Sequence, residues 1–128
     1  MSGINLKKYL LDTNSIIYAM NNSFVLPPCQ YCFSIITEIE LLSFSKLTKE
    51  DSDLIRLALL NFEVINLNDE VKELTIKIRK NSNIKLPDSI IIASALSEEA
   101  ILVTSDKQLL NSGLVKSIEL SDLSNDYQ

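Results

Sequence analysis

Lys8-Tyr9-Leu10-Leu11-Asp12-Thr13-Asn14 is the stretch that decides how this chain folds. A short apolar run ends, with no polar transition, on three side chains suited to capping a helix. The pattern predicts a buried strand turning directly into a helix, Ser15 to Met20, which Asn21-Asn22-Ser23 stops. The same alternation continues along the chain. After Pro27-Pro28 comes a second strand around Tyr31 to Ser34, then a helix from about Ile36 to Phe44. Thr48-Lys49-Glu50-Asp51 has the pattern of a capping box, and the helix behind it carries Leu54, Ile55, Leu57, Ala58 and Leu60. Glu63 to Leu67 reads as a third strand. Asn68-Asp69 caps an amphipathic helix with Val71, Leu74, Thr75 and Ile78 at helical spacing. Pro87 opens the helix Asp88 to Leu96, apolar nearly all round and therefore central. Ile101-Leu102-Val103 reads as a buried strand, and Ser117-Ile118-Glu119-Leu120 as a last, weaker one.

Strands separated by helices predict an α/β protein with a parallel sheet and helices on both faces. In such sheets, sites form beyond the carboxyl ends of the strands, where the strand order reverses. Asp12 stands at the end of the first strand and Asp106 just beyond Ile101–Val103, while Glu40 and Asp88 fall in early turns of helices. All four can reach one edge of the sheet.

Composition narrows the chemistry. The 128 residues fit a single domain spanning 1–128, and 46% hydrophobic with 23% charged residues describes a globular chain. A net charge of -5 argues against passive coating of a nucleic-acid duplex. It leaves open a site where cations neutralise clustered carboxylates. No histidine occurs, which excludes Ser-His-Asp and Cys-His catalysis and imidazole metal ligands. With only Gly3 and Gly113, neither a GxGxxG turn nor a phosphate-binding P-loop can be written. Cys29 and Cys32 run into a strand, where residues three apart face opposite ways, so they are read as packing cysteines. The opening residues lack an apolar signal core, and no apolar run approaches the ~18 residues of a spanning helix. The expectation is a soluble, cytoplasmic protein without a membrane segment.

Each acid alone has an ordinary explanation as a helix cap or a solvated helix residue, and Ser105-Asp106-Lys107-Gln108 itself resembles a capping box. Drawn together in a partly buried spot, they repel unless cations bridge them. Ligands that are all oxygen suit Mg²⁺ or Mn²⁺, ions able to activate a water and stabilise the leaving oxygen of a phosphodiester.

Four stretches carry a resemblance: Leu10–Asn14, Ser34–Leu42, Lys85–Ala93 and Leu102–Asp106. In order and spacing they resemble the motifs of PIN-domain nucleases, and most nearly the VapC-type toxins of bacterial toxin–antitoxin pairs. The resemblance implies a three-layer α/β/α sandwich around a parallel sheet. It implies a ribonuclease in which Asp12, Glu40, Asp88 and Asp106 hold Mg²⁺ or Mn²⁺ and a metal-activated water hydrolyses the phosphodiester, leaving 5′-phosphate and 3′-hydroxyl ends. Asn14 and Thr104 would orient the carboxylates or that water. A cognate antitoxin and a homodimer are the implied partners, with RNA as substrate.

Thr37-Glu38-Ile39-Glu40 offers two acids that a helix sets ~200° apart, so both cannot face one metal. The family's glutamate stands three residues after the threonine and just before leucine, which selects Glu40 and leaves Glu38 as the exposed alternative. Ser105 stands where family members often carry a basic residue beside the last acid, and Lys7, Lys8, Lys46, Lys85 and Lys107 are scattered candidates to line the approach. Two other readings stay open. A haloacid-dehalogenase-like phosphatase would want a second acid two residues after Asp12, where Asn14 stands. A catalytically inactive PIN-like binding module would use the leucines of Leu54–Leu60 as a partner surface.

Overall fold

The structure, a computed structural model, describes residues 6–128. Strands β1 (Lys8–Leu11), β2 (Gln30–Ser34), β3 (Glu63–Ile65), β4 (Ile101–Val103) and β5 (Ser117–Ile118) form one sheet in the order β3-β2-β1-β4-β5. Every pairing in it is parallel, with Leu10 beside Cys32 and Leu102, and Leu11 beside Val103. Helices α1 (Thr13–Asn21), α2 (Ile35–Leu42), α3 (Lys49–Leu59), α4 (Asp69–Asn81), α5 (Leu86–Ser97), α6 (Lys107–Leu110) and α7 (Leu123–Asp126) complete a three-layer α/β/α sandwich.

The period of two along each strand divides the core between two faces. Leu10, Cys32 and Leu102 pack with Val71 and Ile78 of α4 and with Ile91 and Ile92 of α5. Tyr9, Leu11, Phe33 and Val103 pack on the other face with Ile16 of α1, Leu41 of α2, and Ile55 and Leu59 of α3. α5 is buried continuously from Ser89 to Ala95, the central position its all-round apolar sequence predicts. Each buried isoleucine there contributes about 1.5–3 kcal/mol by leaving water.

Helix starts follow the capping residues. Asp12, Ser34, Asn68 and Asp106 each accept a backbone amide of the helix they precede. At Thr48 both arms of the capping box form, the hydroxyl accepting from Asp51 N at 3.0 Å and the Asp51 carboxylate accepting from Thr48 N at 3.3 Å. α1 ends where Ser23 turns into the left-handed region at φ 49°.

Some sequence expectations shift. β3 stops at Ile65, short of Leu67. β5 holds only Ser117 and Ile118, because its neighbour β4 itself ends at Val103; Leu120 instead opens a 3-10 turn leading into α7, whose Leu123 is buried against the sheet. The cap of α6 is Asp106 itself rather than Ser105. Cys29 and Cys32 are both free, and burial pushes the Cys32 thiol up to about 12, as suits a packing residue. The expectation of no leader rests partly on residues 1–5, which lie outside the described residues. Among the described residues, no helix is long and apolar enough to cross a membrane.

Candidate active site

The strand order reverses between β1 and β4: the chain leaves β1 toward β2 on one side and returns through β4 on the other. The crevice this creates lies beyond the carboxyl ends of these two strands. Asp12 is the first residue after β1 and is only 6% exposed. Its amide donates to Val103 O at 3.1 Å, tying it to β4. Its carboxylate is held on both sides, Oδ1 accepting from Ser15 N at 2.8 Å and Oδ2 from Thr104 Oγ1 at 2.5 Å. Thr104 Oγ1 in turn accepts from Asp106 N at 3.1 Å, so one buried hydroxyl links the acids of the two strands. Each Asp12 oxygen keeps a second lone pair for another partner.

Glu40 comes from α2. Thr13 Oγ1 donates to Glu40 Oε1 at 2.7 Å and lies 3.0 Å from Thr37 Oγ1, so a buried and a half-buried threonine fix the glutamate's direction. Glu38 points elsewhere, lining a hollow with Asp53 and Arg56 of α3. The expectation of which acid is exposed is reversed: Glu38 is half-buried and Glu40 exposed, because the α2 face bearing Glu38 leans on α3 while Glu40 looks into the crevice.

Asp88 stands half-buried in the first turn of α5, behind Pro87. Burial pushes its carboxyl above the ordinary range, and the charges of Asp106, Glu40 and Asp12, in that order, push it further; Lys85 opposes them. Three acids from three other elements thus act on Asp88. Asp106 commits Oδ1 to the amides of Gln108 and Leu109, at 2.8 and 3.3 Å. Asn14 is exposed and lines a hollow with Ser105 and Glu119, with no hydrogen bond to any of the four acids among the described residues. Thr13, read in the sequence only as a capping residue, Thr37, read only as a marker for Glu40, and Ser15 were not expected to hold the acids. Their signal was their place one to three residues from Asp12 and Glu40.

The approach differs from that expected of the lysines. Lys7 and Lys8 are bound at the opposite, amino end of the strands, to Asp126 and to Glu63 and Glu98, and do not line the crevice. Lys85 does stand by Asp88. On the other flank a groove of about 560 Å³ runs between α1, α2 and α3, lined by Ile17, Met20, Phe44 and Leu54 and bounded by Thr13 and Glu40.

Among the described residues, no three acidic or cysteine side chains close a cage around an ion as they stand. A Mg²⁺-type ion does not need one: it binds through one or two carboxylates, substrate phosphate and several retained waters. The donors that converge here are all carboxylate oxygen, the chemistry such an ion takes.

A parallel three-layer sandwich with acids gathered at its switch point is the class of protein these observations define. A family model for the PIN domain matches residues 30–112, and the chain belongs to the PIN-domain family, nucleases that generally use divalent metal ions. The matched stretch contains Glu40, Asp88 and Asp106, while Asp12 precedes it. Membership sets aside the haloacid-dehalogenase-like reading. Among solved structures the chain is similar to VapBC-1 from nontypeable Haemophilus influenzae, with 28% identity over 89% of this chain and 98% of that one and a TM-score of 0.73. It is similar to a toxin–antitoxin complex from Klebsiella pneumoniae, with 26% identity over 86% of this chain and 95% of that one, also at 0.73. DNA-bound VapBC from Salmonella typhimurium shares the fold, with a TM-score of 0.75 at 20% identity over 89% and 98% of the two chains. Among curated proteins, none matches the sequence.

Proposed function

We propose that the protein is a divalent-metal-dependent ribonuclease, hydrolysing RNA phosphodiesters to 5′-phosphate and 3′-hydroxyl ends, and that it is the toxin of a toxin–antitoxin pair acting in the cytoplasm. The observation that carries the reading is Asp88, whose proton affinity is raised by burial and by three other acids converging from separate elements. Repulsion of that kind is not a stabilising arrangement, and it supports a site that works with a cation. Asp12, Glu40, Asp88 and Asp106 would hold Mg²⁺ or Mn²⁺. When bound, such an ion supplies Lewis acidity, which lowers the pKa of water and offsets charge on a leaving oxygen.

The chain's own groups supply orientation. Thr104 and the Ser15 amide hold the Asp12 carboxylate, and Thr13 holds Glu40, so both are aimed before substrate arrives. Asn14, whose amide is not engaged with the acids, would hold a water at the mouth of the crevice.

The similarity to VapBC complexes supports an antitoxin partner. The apolar groove ending at Thr13 and Glu40 gives such a partner a place to bind and to block the site at once. The outer face of α3, where Leu57 is 63% and Leu60 79% exposed, suits a second copy of the chain. These leucines, and acids that close no cage as they stand, also favour a second reading, a PIN-like module that binds without cutting.

Cleavage of RNA by purified protein with Mg²⁺, Mn²⁺ or chelator, beside an Asp12→Asn control, separates the two. Metal-dependent cutting should fall by about a hundredfold or more in the control while its fold survives. Equal cutting by Asp12→Asn would sink the site assignment, cutting in chelator would sink the metal dependence, and no cutting under any condition would favour the binding module.

A further inference from the structure

On the flank opposite the apolar groove lies a hollow of about 550 Å³ between the carboxyl end of α4, the α4–α5 connection and α6. Its volume is within the range of small-ligand sites. Its wall is rich in amides: Asn81, Asn83, Gln108 and Asn111 line it beside Ile84 and Leu114, with Lys107 as its one charged residue among the described lining. The wider setting is unusual. Residues 74–87 and 107–115, the two stretches that meet here, contain five of the chain's twelve Lys and Arg and none of its seventeen acids. In a chain of net charge -5, this region is an acid-free, cationic flank. It also abuts the crevice at two points. Lys107 directly follows Asp106, and Lys85, which caps the start of α5, stands against Asp88.

We propose that this hollow is a nucleobase subsite, taking an unstacked base of single-stranded RNA beside the scissile phosphate while Lys85 and Lys107 hold the phosphates that flank it. The inference rests on the ribonuclease reading and adds to it where specificity resides. Side-chain amides present a donor and an acceptor together, matching the edges of a base, whereas lysines meet phosphate as point charges. Sequence-specific recognition of RNA works on bases splayed out of single strands, with phosphate contacts for position and base contacts for choice. A chain of low pI then binds RNA by segregating its charges rather than by carrying a surplus.

The test uses Asp12→Asn protein, which is not expected to cut, and short fluorescent homopolymer RNAs followed by anisotropy. Cleavage positions are mapped separately on mixed-sequence RNA with Asp12 intact. Asn83 and Gln108 are exposed, so Asn83→Ala with Gln108→Ala should keep the melting temperature. This double variant should weaken binding of the preferred homopolymer by roughly tenfold and blunt the mapped preference, the effect falling on KM. Lys107→Ala should weaken all homopolymers alike and reduce the salt slope by about one. Because it also removes a cation beside the acids, it should tighten the apparent hold on Mg²⁺, the reverse of what a damaged site would do. Unchanged affinities and unchanged cleavage positions in a protein that does cut RNA would overturn the subsite and leave the nuclease standing. Uniform weakening by the double variant, with no change in preference, would overturn base recognition as well. RNA that is never cut, but is bound with a base preference that the double variant loses, would support the hollow and remove the nuclease. No binding and no cutting would remove both.

Discussion

The two ends of the sheet hold the same kinds of residue and treat them in opposite ways. At the amino end, Lys8 Nζ donates to Glu63 Oε1 at 2.8 Å and to Glu98 Oε1 at 2.5 Å. Burial alone would lower the Lys8 pKa, yet the two glutamates outweigh it and lift the ammonium above its usual range. At the same end Asp126 accepts from Tyr9 Oη at 2.7 Å, and that bond, helped by Lys7, holds its carboxyl below the ordinary value. At the carboxyl end, Asp12, Glu40, Asp88 and Asp106 gather with Lys85 as the opposing charge, and Asp88 is pushed up instead. Paired charges at one end favour the folded state. Unpaired ones at the other oppose it, the pattern expected where function rather than stability selects the residues.

The sharpest way to break this contrast is at α2, where one helix carries an acid on each kind of surface. Glu40→Gln should lower RNA cleavage by about a hundredfold, as removal of a group that stabilises developing charge does elsewhere. Glu38→Gln, on the face lining the hollow with Arg56, should leave the rate within about twofold. Equal losses in single-turnover assays of the pair would mean that the four acids do not act as the unit described. One step smaller is Thr104→Val, which keeps the side chain's shape and removes the hydroxyl bonded to Asp12 Oδ2. Activity or metal affinity should fall by about ten- to a hundredfold. Stability should fall by about 1–3 kcal/mol, since Thr104 is fully buried and its partners lose a donor and an acceptor.

Much of this was legible in the residues because local and tertiary signals agree. Leu10-Leu11-Asp12-Thr13 names both a buried strand and the cap that ends it, and parallel pairing with Leu102-Val103 follows from strands alternating with helices. The crevice was legible for the same reason: the switch point lies where two strands end in acids. Three things were not legible. Glu38 and Glu40 exchange exposure because α3 packs on one face of α2, and no period in α2 alone reports where α3 will lie. Lys7 and Lys8 look available in sequence, yet their partners Asp126, Glu63 and Glu98 are 55 or more residues away and become neighbours only when the sheet closes. The acid-free flank joins residues 74–87 to 107–115, so a net charge taken over the whole chain averages it away.

Metal-free stability puts the carboxyl end to a quantitative test. Asp88 binds its proton more tightly folded than unfolded, so its contribution to stability is full below the ordinary carboxylate pKa. That contribution is lost as pH rises through the folded value. In chelator the parent should therefore weaken across that window, and Asp88→Asn should melt higher than the parent at pH 7. Divalent ions should reverse the order, adding about 2.7 kcal/mol to the parent at a hundred times its dissociation constant and little to the variant. Melts of the parent that ignore Mg²⁺ and Mn²⁺ alike would count against a site assembled in the folded chain.

The amino end should give the smallest effect and the opposite sign. Lys8→Met keeps most of the stem's packing and removes the ammonium, leaving Glu98 half-buried without its donor. Stability should drop by about 1 kcal/mol, the upper end for partly exposed pairs, with RNA cleavage unchanged because the crevice lies at the other end of the strands. Since the folded pKa of Lys8 is raised, that stabilisation is fully present below the ordinary lysine value of about 10.4 and is lost as pH rises through the folded one. The gap between parent and Lys8→Met in urea midpoints should thus stay constant from neutral pH to about pH 10 and close above it. Tyr9 also titrates in the alkaline range, but it is present in both proteins and cancels in the difference. A Lys8→Met variant as stable as its parent at pH 7 would show that pairing at the amino end contributes nothing net. The contrast between the two ends would then rest on Asp88 and its neighbours alone.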